Sequence, residues 1–558
     1  MVRWFSKHQK ICGFVIGCAG GLLLFWVMYG FAVLAPGNFG WCLAKPNDTA
    51  QHFIGGWAFL RDAWRWPPGL FYGLSDPDTA SIAVVDGIPL AALIIKLFRG
   101  VKAEPFQYLG MWGLICFMLQ GGFGFLLTGR FAKRFAVRLA GAFFLLLAVP
   151  FLTRYPEHTA LSSHFLLLWA LYLMPGKWGR TAAAWPALLT LALVIHPYLF
   201  AMCLAVYAGV TLQTLIRELR RKRYFAAAKI PLNWLVTGLS CAVAAYLTGL
   251  FSIGMKQGSG GFNQSQINLN GLFNPVTWDV SALVAPMPAQ SSAENIYLGA
   301  GLCLLVLATL PALWRLCKND SALWRRRGLP VAMLAAMALF AVNCRVYLGN
   351  EPVVTFILPP GLKGVWSIFR AAGRFVWPAW YLLAALAVGF AVKGKRRRFG
   401  GVLLTVAALL QIYDLGNGIV ANHWAAHLDR PQREYVSPYA ELGIAPGEIK
   451  KLYHTYTDED FGDIGYFALK NGLALEDYYF AREFRRTEYR RGVARLLASG
   501  VAEPGGLYLL RREEREQLER RCPQFRGRLL PTSGRSVLFI PPPEPGYSGS
   551  GNAETPQP

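Results

Sequence analysis

The sequence predicts a polytopic α-helical membrane protein of about eleven transmembrane helices, followed by a small α/β domain outside the membrane. Hydrophobic residues make up 54% of the 558-residue chain, and the mean hydropathy is +0.33. Apolar runs recur at lengths near the roughly 20 residues that cross a bilayer. Short basic runs separate them, whereas the last part of the chain alternates short apolar and charged stretches. These observations favour a membrane bundle with one soluble appendage.

The formal net charge of +24 indicates topology. From residue 421 onward, 19 basic and 19 acidic side chains cancel, so the excess belongs to residues 1–420. It is concentrated in the loops 130–138, 217–229, 318–327 and 393–398. Such runs between spans follow the positive-inside rule and mark cytoplasmic loops. Nucleic-acid binding, the other explanation of basic runs, is not expected because these runs are short and lie between spans.

The spans and the charge rule together give a membrane map. The predicted spans are 11–35, 107–128, 136–152, 159–174, 181–195, 198–216, 232–253, 298–316, 329–347, 376–392 and 400–418. A basic N-terminus places the start of the chain in the cytoplasm, so residues 36–106 form the first external loop. Because 217–229 is also cytoplasmic, segment 82–98 cannot cross, and we expect a helix lying in the outer leaflet. Residues 11–35 read as a retained helix, since no small-residue cleavage site follows them.

The chain therefore divides into three parts. Residues 1–420 form the transmembrane domain, 421–540 a soluble external α/β domain, and 541–558 a disordered tail rich in Pro, Gly and Ser. Within the soluble part, strands are expected at 506–510 and 536–540, and helices at 486–498 and 511–521.

The first external loop holds the most informative residues. Asp48 and His52 lie four residues apart, so on a helix they share one face. A carboxylate there can act as a general base on an acceptor hydroxyl, with His52 or Gln51 orienting it. The alternative is that Asp48 only caps the helix, because Asn47, Asp48 and Thr49 are all good N-cap residues.

Further polar residues collect at the predicted outer face, where ionisable side chains are costly unless they are solvated or paired. Candidates are Asp86 in the first loop, Arg154, Glu157 and His158 after span 136–152, and His196 in a tight turn between helices. For His158 and His196, the alternative to a role in the site is helix packing alone. Asp62 is expected to pair with Arg65, and Asp76 to belong to a turn.

Two arginines before span 376–392 suggest recognition of an anion. Arg370 and Arg374 are also four residues apart, and two guanidiniums on one helical face can grip a phosphate or diphosphate. Lys363 is a weaker partner. The alternative is that these cations are interfacial anchors, although positive charges are disfavoured on the outer face.

The sequence does not require a cofactor. Asp48, Asp86 and His158 are residue types that ligate Mg²⁺ or Mn²⁺, but the first loop has no tight ligand cluster apart from Asp76-Pro77-Asp78. The chain contains no Rossmann fingerprint and no P-loop, which fits a substrate without a nucleotide.

This layout resembles the GT-C superfamily of membrane glycosyltransferases. In those enzymes an acidic residue follows the first helix, amphipathic helices share its loop, and an acidic-then-proline element precedes the next crossing. Here Asp48 and Asp86 to Leu90 occupy those places. Several segments more closely resemble an uncharacterised bacterial GT-C-like family over about residues 10–420: Asp48 to Phe59, Ser81 to Leu90, Phe106 to Gln120, His158 to His164 and Phe369 to Pro378.

The resemblance implies a glycosyltransferase of the bacterial inner membrane that uses a polyprenyl-phosphate-linked sugar at the outer face. It implies that Asp48 is the catalytic acid or base and that Arg370 and Arg374 hold the donor phosphate. The chain departs from the best-known members in having Asp-Thr-Ala-Gln-His where they have Asp-Glu, so the acceptor is left open as a glycan, a lipid or a protein. The main alternative is a transporter or lipid-linked-glycan flippase, which would place ionisable residues at the bilayer midplane and often has a repeat.

Overall fold

The computed structural model describes most of the chain. It covers residues 2–44, 47–74, 78–252, 265–290, 293–393, 397–425, 449, 451–454, 461–475, 478, 480, 486–510, 512–523, 529–532 and 535–539. The predicted disordered tail lies outside the described residues, as does Asp76.

Helices dominate the first 425 residues. The first helices are α1 (Val2–Tyr29), α2 (Gly40–Leu43), α3 (Asp48–Arg61), α4 (Pro89–Arg99), α5 (Leu109–Thr128), α6 (Phe135–Leu146), α7 (Val149–Leu152), α8 (Phe165–Leu173), α9 (Trp178–Thr181), α10 (Ala184–Leu193) and α11 (Pro197–Arg220). The helices that follow are α12 (Tyr224–Leu247), α13 (Ala300–Asn319), α14 (Ser321–Val342), α15 (Pro360–Trp366), α16 (Trp377–Ala391), α17 (Arg397–Leu415) and α18 (Ala421–Ala425). A 3-10 helix, Ala372–Val376, leads into α16. Two antiparallel hairpins accompany them, β1 (Leu70–Phe71) with β2 (Ala80–Ser81), and β3 (Arg345–Leu348) with β4 (Glu351–Thr355).

Seven segments of the described chain are long and apolar enough to cross a membrane. They are His8–Tyr29, Leu109–Thr128, Pro197–Arg220, Tyr224–Leu247, Ala300–Asn319, Ala372–Ala391 and Phe399–His423. Each coincides with one of the predicted spans. The protein is therefore a mostly helical, multi-pass membrane protein, whereas the predicted number of about eleven spans is not confirmed.

The other predicted spans differ from expectation. In place of 136–152, 159–174 and 181–195, the structure has α6, α8 and α10, with 12, 9 and 10 residues. A helix crossing needs about 20 residues, so three continuous spans were the wrong expectation. The first breaks where the chain turns before α7, which has Pro150 in its first turn. Irregular backbone at membrane depth is tolerated where protein surrounds it, and most of this region is buried.

Two further segments qualify the membrane map. The predicted span 329–347 corresponds to α14, which begins earlier, includes Arg325 to Arg327, and ends at Val342. The predicted surface segment 82–98 contains α4, whose 11 residues are too short to cross. The apolar side chains of Leu97 and Phe98 on α4 are exposed at the protein surface. An in-plane position for α4 stays a prediction.

Small residues hold α1 and α5 close together in the membrane part. A Cβ placed on Gly17 would lie 2.4 Å from the carbonyl oxygen of Gly121, and one on Gly121 would lie 2.0 Å from that of Gly17. Only glycine permits this backbone approach, which is a common way for membrane helices to gain van der Waals contact. The pair holds the middle of α1 against α5, and the C-terminal end of α1 leads into the first loop.

The C-terminal residues form a mixed sheet with flanking helices. The strands are β5 (Lys451–His454), β6 (Ala474–Leu475), β7 (Gly506–Leu510), β8 (Leu529–Thr532) and β9 (Arg535–Phe539), and the helices are α19 (Phe461–Lys470), α20 (Arg486–Ala498) and α21 (Arg512–Arg521). The strand order is β6-β5-β7-β9-β8. Strand β5 pairs parallel with β6 and β7, whereas β9 pairs antiparallel with β7 and β8. The four elements expected from the sequence coincide with β7, β9, α20 and α21 to within a residue.

This C-terminal unit rests on the first loop. Helix α19 lies against α3, with the Tyr466 ring 5.7 Å from that of Trp57 between centroids. The Arg61 guanidinium donates to the carbonyl of Leu469 at the end of α19. The backbone N–H of Leu475 donates to the carbonyl of Gly73 at 3.0 Å. The first loop and the C-terminal unit therefore lie on the same side of the membrane part.

Candidate functional site

Asp48 opens helix α3 but does not cap it. The capping residue is Asn47, whose side chain accepts a hydrogen bond from the backbone N–H of Thr49 at 3.0 Å. The carboxylate of Asp48 is therefore free to reach another element, and its Oδ2 lies 2.9 Å from Nδ1 of His158. The positive end of the helix dipole also favours a carboxylate at this position. The interpretation of Asp48 as an N-cap alone is wrong.

The Asp48–His158 pair is held in the form that can accept a proton. Burial raises the pKa of Asp48, but the hydrogen bond from His158 and the electrostatic influence of the His158 and His52 rings outweigh it, so the pKa lies below its usual value. Burial also lowers the pKa of His158, and the charges of Arg374 and Arg154 add to that effect against the opposing influence of Asp48. At neutral pH the carboxylate is ionised and the imidazole is neutral.

A second carboxylate is presented by a strained turn. Asp86 and Ile88 have φ angles of +54° and +51°, in the left-handed region that β-branched residues such as isoleucine rarely adopt. The hydroxyl of Tyr108 donates to the carbonyl of Gly87, between these two residues. Strained backbone of this kind persists where the surroundings over-determine it, often at functional sites. The turn places the Asp86 carboxylate among histidines.

Asp86, rather than Asp48, is the partner of His52. Nε2 of His52 lies 3.3 Å from Oδ2 of Asp86, and Nε2 of His196 lies 3.6 Å from Oδ1. Burial raises the pKa of Asp86, but the two imidazoles outweigh it and hold the pKa well below its usual range. Asp48 and His52 share one helical face, as expected. They do not pair with each other, because the spacing on a helix does not determine which residues of other segments each side chain contacts.

His196 has a second structural task at the start of α11. Its Nδ1 accepts a hydrogen bond from the backbone N–H of Tyr198 at 3.1 Å, which makes His196 the N-cap of that helix. A nitrogen that accepts carries no proton, so the neutral ring has its proton on Nε2, facing Asp86. The helix cap therefore sets the tautomer of a site histidine.

A buried ion pair lies beside the Asp48–His158 pair. Arg154 contacts Glu294 at 3.1 Å, and both side chains are almost fully buried. Glu294 was not singled out from the sequence, although it lies in a loop predicted to be external. The only signal was an acidic residue in such a loop. Its partner Arg154 had been expected at the outer face.

Arg374 joins this cluster, whereas the other two predicted cations do not. Its guanidinium carbon lies 5.1 Å from the centre of the Tyr198 ring, and its charge acts on both Arg154 and His158. Arg370 and Lys363 are exposed. The expected helical pair of arginines is wrong, because the helix that carries Arg374 starts at Ala372 and is a 3-10 helix.

Four buried nitrogen atoms near Arg154 lack hydrogen-bond partners among the described residues. They are Nε of Arg154, Nε of Arg374, Nε1 of Trp377 and Nε2 of His164. The Trp377 ring lies 4.2 Å from the His164 ring and 5.6 Å from the Arg154 guanidinium. Buried donors are normally satisfied, so a group of unpaired ones beside two cations is suited to an anionic ligand.

His164 belongs to a buried hydrogen-bonded chain. The amide nitrogen of Gln120 donates to the Tyr381 hydroxyl at 3.1 Å, and that hydroxyl lies 2.6 Å from Nδ1 of His164. In the tautomer in which the Tyr381 hydroxyl donates to Nδ1, the ring proton is on Nε2, and this nitrogen is a donor like the other three.

The remaining predicted site residues have simpler surroundings. Gln51 is buried on α3, and its amide nitrogen has no hydrogen-bond partner in the described part of the chain. Asp62 pairs with Arg65 at 2.6 Å, as expected. The structure does not assemble Asp48, Asp86 and His158 as metal ligands: among the described residues, no three His, Cys, Asp or Glu side chains are grouped to hold a metal ion.

The arrangement has two chemical ends. One end offers an ionised carboxylate, Asp48, with a neutral imidazole to orient it, and a second carboxylate, Asp86, behind it. The other end offers the cations Arg374 and Arg154, the second of which is already paired with Glu294, together with unpaired N–H donors. Such a site can remove a proton from one group while stabilising negative charge on another.

Comparisons with known proteins give a family but no activity. The family model described as "Domain of unknown function (DUF6311)" matches residues 18–416, and "DUF6311 C-terminal domain" matches residues 433–539. No curated protein matches. Among solved structures, the chain is similar to the archaeal oligosaccharyltransferase AglB from Archaeoglobus fulgidus, in complex with an inhibitory peptide and a dolichol-phosphate. The identity is 12% over 93% of this chain and 72% of that one, with a TM-score of 0.43. Those values are too low to establish a shared fold.

Proposed function

The chain belongs to the DUF6311 family, and we propose that it is a membrane glycosyltransferase. It transfers a sugar from a polyprenyl-phosphate donor to an acceptor hydroxyl at the outer face of the membrane. One observation carries this proposal: the carboxylate of Asp48 contacts His158 at 2.9 Å, and the cations Arg154 and Arg374 lie close enough to act on that imidazole, in a chain whose described residues include seven candidate spans.

Asp48 is the proposed general base. Its lowered pKa keeps it ionised at neutral pH, and His158 holds it through a 2.9 Å contact. As the acceptor oxygen attacks the anomeric carbon, its proton passes to the Asp48 carboxylate. A positioned base of this kind typically contributes about 10²–10⁴-fold to a rate. Asp86, held by its histidines, supplies further negative charge near the positive charge that develops on the sugar.

The anion end receives the leaving group. When the bond from the anomeric carbon to the phosphate oxygen breaks, the electron pair stays on the lipid phosphate. Arg154 and Arg374, with the N–H groups of Trp377 and His164, are the groups available to stabilise that charge. Because Nε of each arginine and Nε1 of Trp377 are buried without hydrogen-bond partners among the described residues, they need little reorganisation, which is the condition for strong electrostatic catalysis.

The lipid part of the donor follows from the surroundings of this cluster. The described chain has several helices that can cross a bilayer, and Arg374 stands at the start of the span Ala372–Ala391. A substrate whose phosphate binds there can keep an apolar chain among the helices. The basic loops support an N-terminus in the cytoplasm and a C-terminal unit outside, and a bacterial inner membrane is the proposed location.

A transporter is not favoured by Asp414, an ionisable residue within a candidate span. Asp414 lies in Phe399–His423 but is fully occupied, since it accepts from the Tyr297 hydroxyl at 3.0 Å and from the backbone N–H of Ala300 at 2.7 Å. It anchors the first residue of α13 instead of offering a carboxylate to a moving ion. Transport sites place available ionisable groups near the midplane.

The test is a transfer assay on the intact protein in lipid nanodiscs. Radiolabelled sugar on polyprenyl phosphate is supplied, and loss of label from the lipid is followed with a mixture of glycan, lipid and peptide acceptors, or with water. Asp48→Asn should abolish the reaction. Glu104→Gln, which alters an exposed carboxylate of the same loop, should not. If the wild-type protein leaves every lipid-phosphate sugar intact, the proposal is refuted.

A companion assay addresses the alternative function. In sealed proteoliposomes, a flippase would move labelled donor between leaflets without cleaving it. Translocation that survives in Asp48→Asn, without any cleavage in the wild type, would favour the flippase.

A further inference from the structure

The C-terminal unit touches the same helix that begins with Asp48. Helix α19 crosses α3 in two close approaches, where Gly462 meets Ala50 and Gly465 meets Ile54. Arg61, the last residue of α3, donates to the carbonyl of Leu469 and so ties the far ends of the two helices together. Almost every residue between the ends of α3 is buried, so the helix is enclosed between the membrane part and the C-terminal unit.

We infer that α19 is a positioning element for the proposed catalytic helix. The C-terminal unit fixes α3 and thereby sets the distance between Asp48 and His158. This inference rests on the proposed function for its effect on rate, but its structural content, that α19 sets the position of α3, does not.

The contact is tight enough to transmit small changes. A Cβ on Gly465 would lie 2.6 Å from Cγ2 of Ile54, whereas non-bonded carbons prefer about 3.5–4.0 Å. Relieving that overlap requires a movement of about 1 Å. Ile54 is six residues from Asp48 on the same helix, about 9 Å along its axis.

A movement of this size matters at Asp48. The contact from Asp48 to His158 is 2.9 Å, and a shift of about 1 Å would take it outside the roughly 2.7–3.2 Å at which N–H···O hydrogen bonds form. Misplacement of a reacting group by about 1 Å can cost on the order of a hundredfold in rate. The donor phosphate is bound by side chains of other helices, so its affinity should change little.

The experiment uses three variants of the full-length protein. Gly465→Ala introduces the overlap with Ile54. Gly465→Ala combined with Ile54→Ala removes that overlap again by taking away Cγ1 and Cγ2 of Ile54, and leaves the looser approach of the new Cβ to a ring carbon of Tyr478 at 3.0 Å. Gly492→Ala is the matched control, because it adds the same methyl to a helical glycine of the C-terminal unit where a Cβ would meet nothing within 4 Å.

Kinetics with the labelled lipid donor test the effect on rate. Gly465→Ala should lower kcat by about tenfold to a hundredfold with little change in the donor KM. The double variant should regain most of that loss, and Gly492→Ala should match the wild type. Equal kcat values for Gly465→Ala and Gly492→Ala, or a loss that Ile54→Ala does not reverse, would overturn the inference.

Hydrogen exchange separates this inference from the proposed function. Amides of α3 should exchange faster in Gly465→Ala than in Gly492→Ala, and the double variant should restore slow exchange. This result is expected whether or not the protein transfers a sugar. If α3 exchanges at the same rate in all variants, α19 does not position it, even if the wild-type protein is an active glycosyltransferase.

Discussion

Arg374 and Arg370 provide a matched pair for testing the anion end of the cluster. Arg374 lies within the cluster with an unpaired Nε, whereas Arg370, four residues earlier, is exposed. Removing one preorganised contact to a developing anion costs about 2.7–4 kcal/mol, which is about 10²–10³-fold in kcat. Arg374→Ala should show a loss of that size. Exposed charges contribute at most about 1 kcal/mol, so Arg370→Ala should lose less than about fivefold.

Lysine at position 374 separates charge from geometry. Arg374→Lys keeps a positive charge but loses the planar guanidinium, which lies 5.1 Å from the centre of the Tyr198 ring. Lysine neither stacks on an aromatic ring in the same way nor binds two phosphate oxygens at once. Its activity should therefore fall between that of the wild type and that of Arg374→Ala.

The assay measures single-turnover rates at saturating lipid donor in nanodiscs. Sugar-free polyprenyl phosphate serves as a competitor and reports phosphate affinity separately from chemistry. Equal amounts of each variant in the membrane fraction control for folding. The reasoning is refuted if Arg374→Ala keeps wild-type activity, or if Arg370→Ala loses as much as Arg374→Ala.

Three further predictions concern the carboxylate end. His158→Leu should slow transfer by about tenfold to a hundredfold, since a hydrogen bond to a charged group contributes about 1.5–3 kcal/mol. It should also move the acid limb of the pH–rate profile to higher pH, because His158 lowers the pKa of Asp48; an unmoved limb would contradict this. Tyr108→Phe removes the hydroxyl bonded to the Gly87 carbonyl and should lower kcat by roughly threefold to tenfold at constant donor KM, so unaltered kinetics would make that bond dispensable. The pKa of Asp86 is depressed in the folded state, so its stabilising effect is present above the unfolded pKa of about 4 and disappears as the pH falls through the folded value. Asp86→Asn should thus lower Tm by a few degrees at pH 7, with a difference that shrinks below about pH 4 in thermal melts; a pH-independent difference would exclude this linkage.

Local sequence patterns correctly predicted those features that depend on a single helix. Long apolar runs predicted the seven spans of the described chain, and the four-residue spacing of Asp48 and His52 predicted a shared helical face. The sequence did not predict which residues Asp48 and His52 contact. His158 and Asp86 approach α3 from other segments, and the turn that presents Asp86 depends on left-handed backbone that no residue pattern indicated.

Two errors came from assuming regular helices. The expected pairing of Arg370 with Arg374 required an α-helix at that point, but only a 3-10 helix from Ala372 is present. The apolar segment 136–152 was expected to cross unbroken, although it divides before Pro150. Hydropathy measures how apolar a segment is and contains no information about where its backbone turns.

The N-cap at His196 links proton occupancy to the seating of a helix. Its Nδ1 can either accept the backbone N–H of Tyr198 or hold a proton, but not both. Charging the imidazole therefore releases the first amide of α11. The hydroxyl of Tyr198 in turn accepts from the backbone N–H of Ala371, three residues before Arg374. Protonation of His196 beside Asp86 would therefore loosen Tyr198, and Tyr198 contacts the segment that carries Arg374.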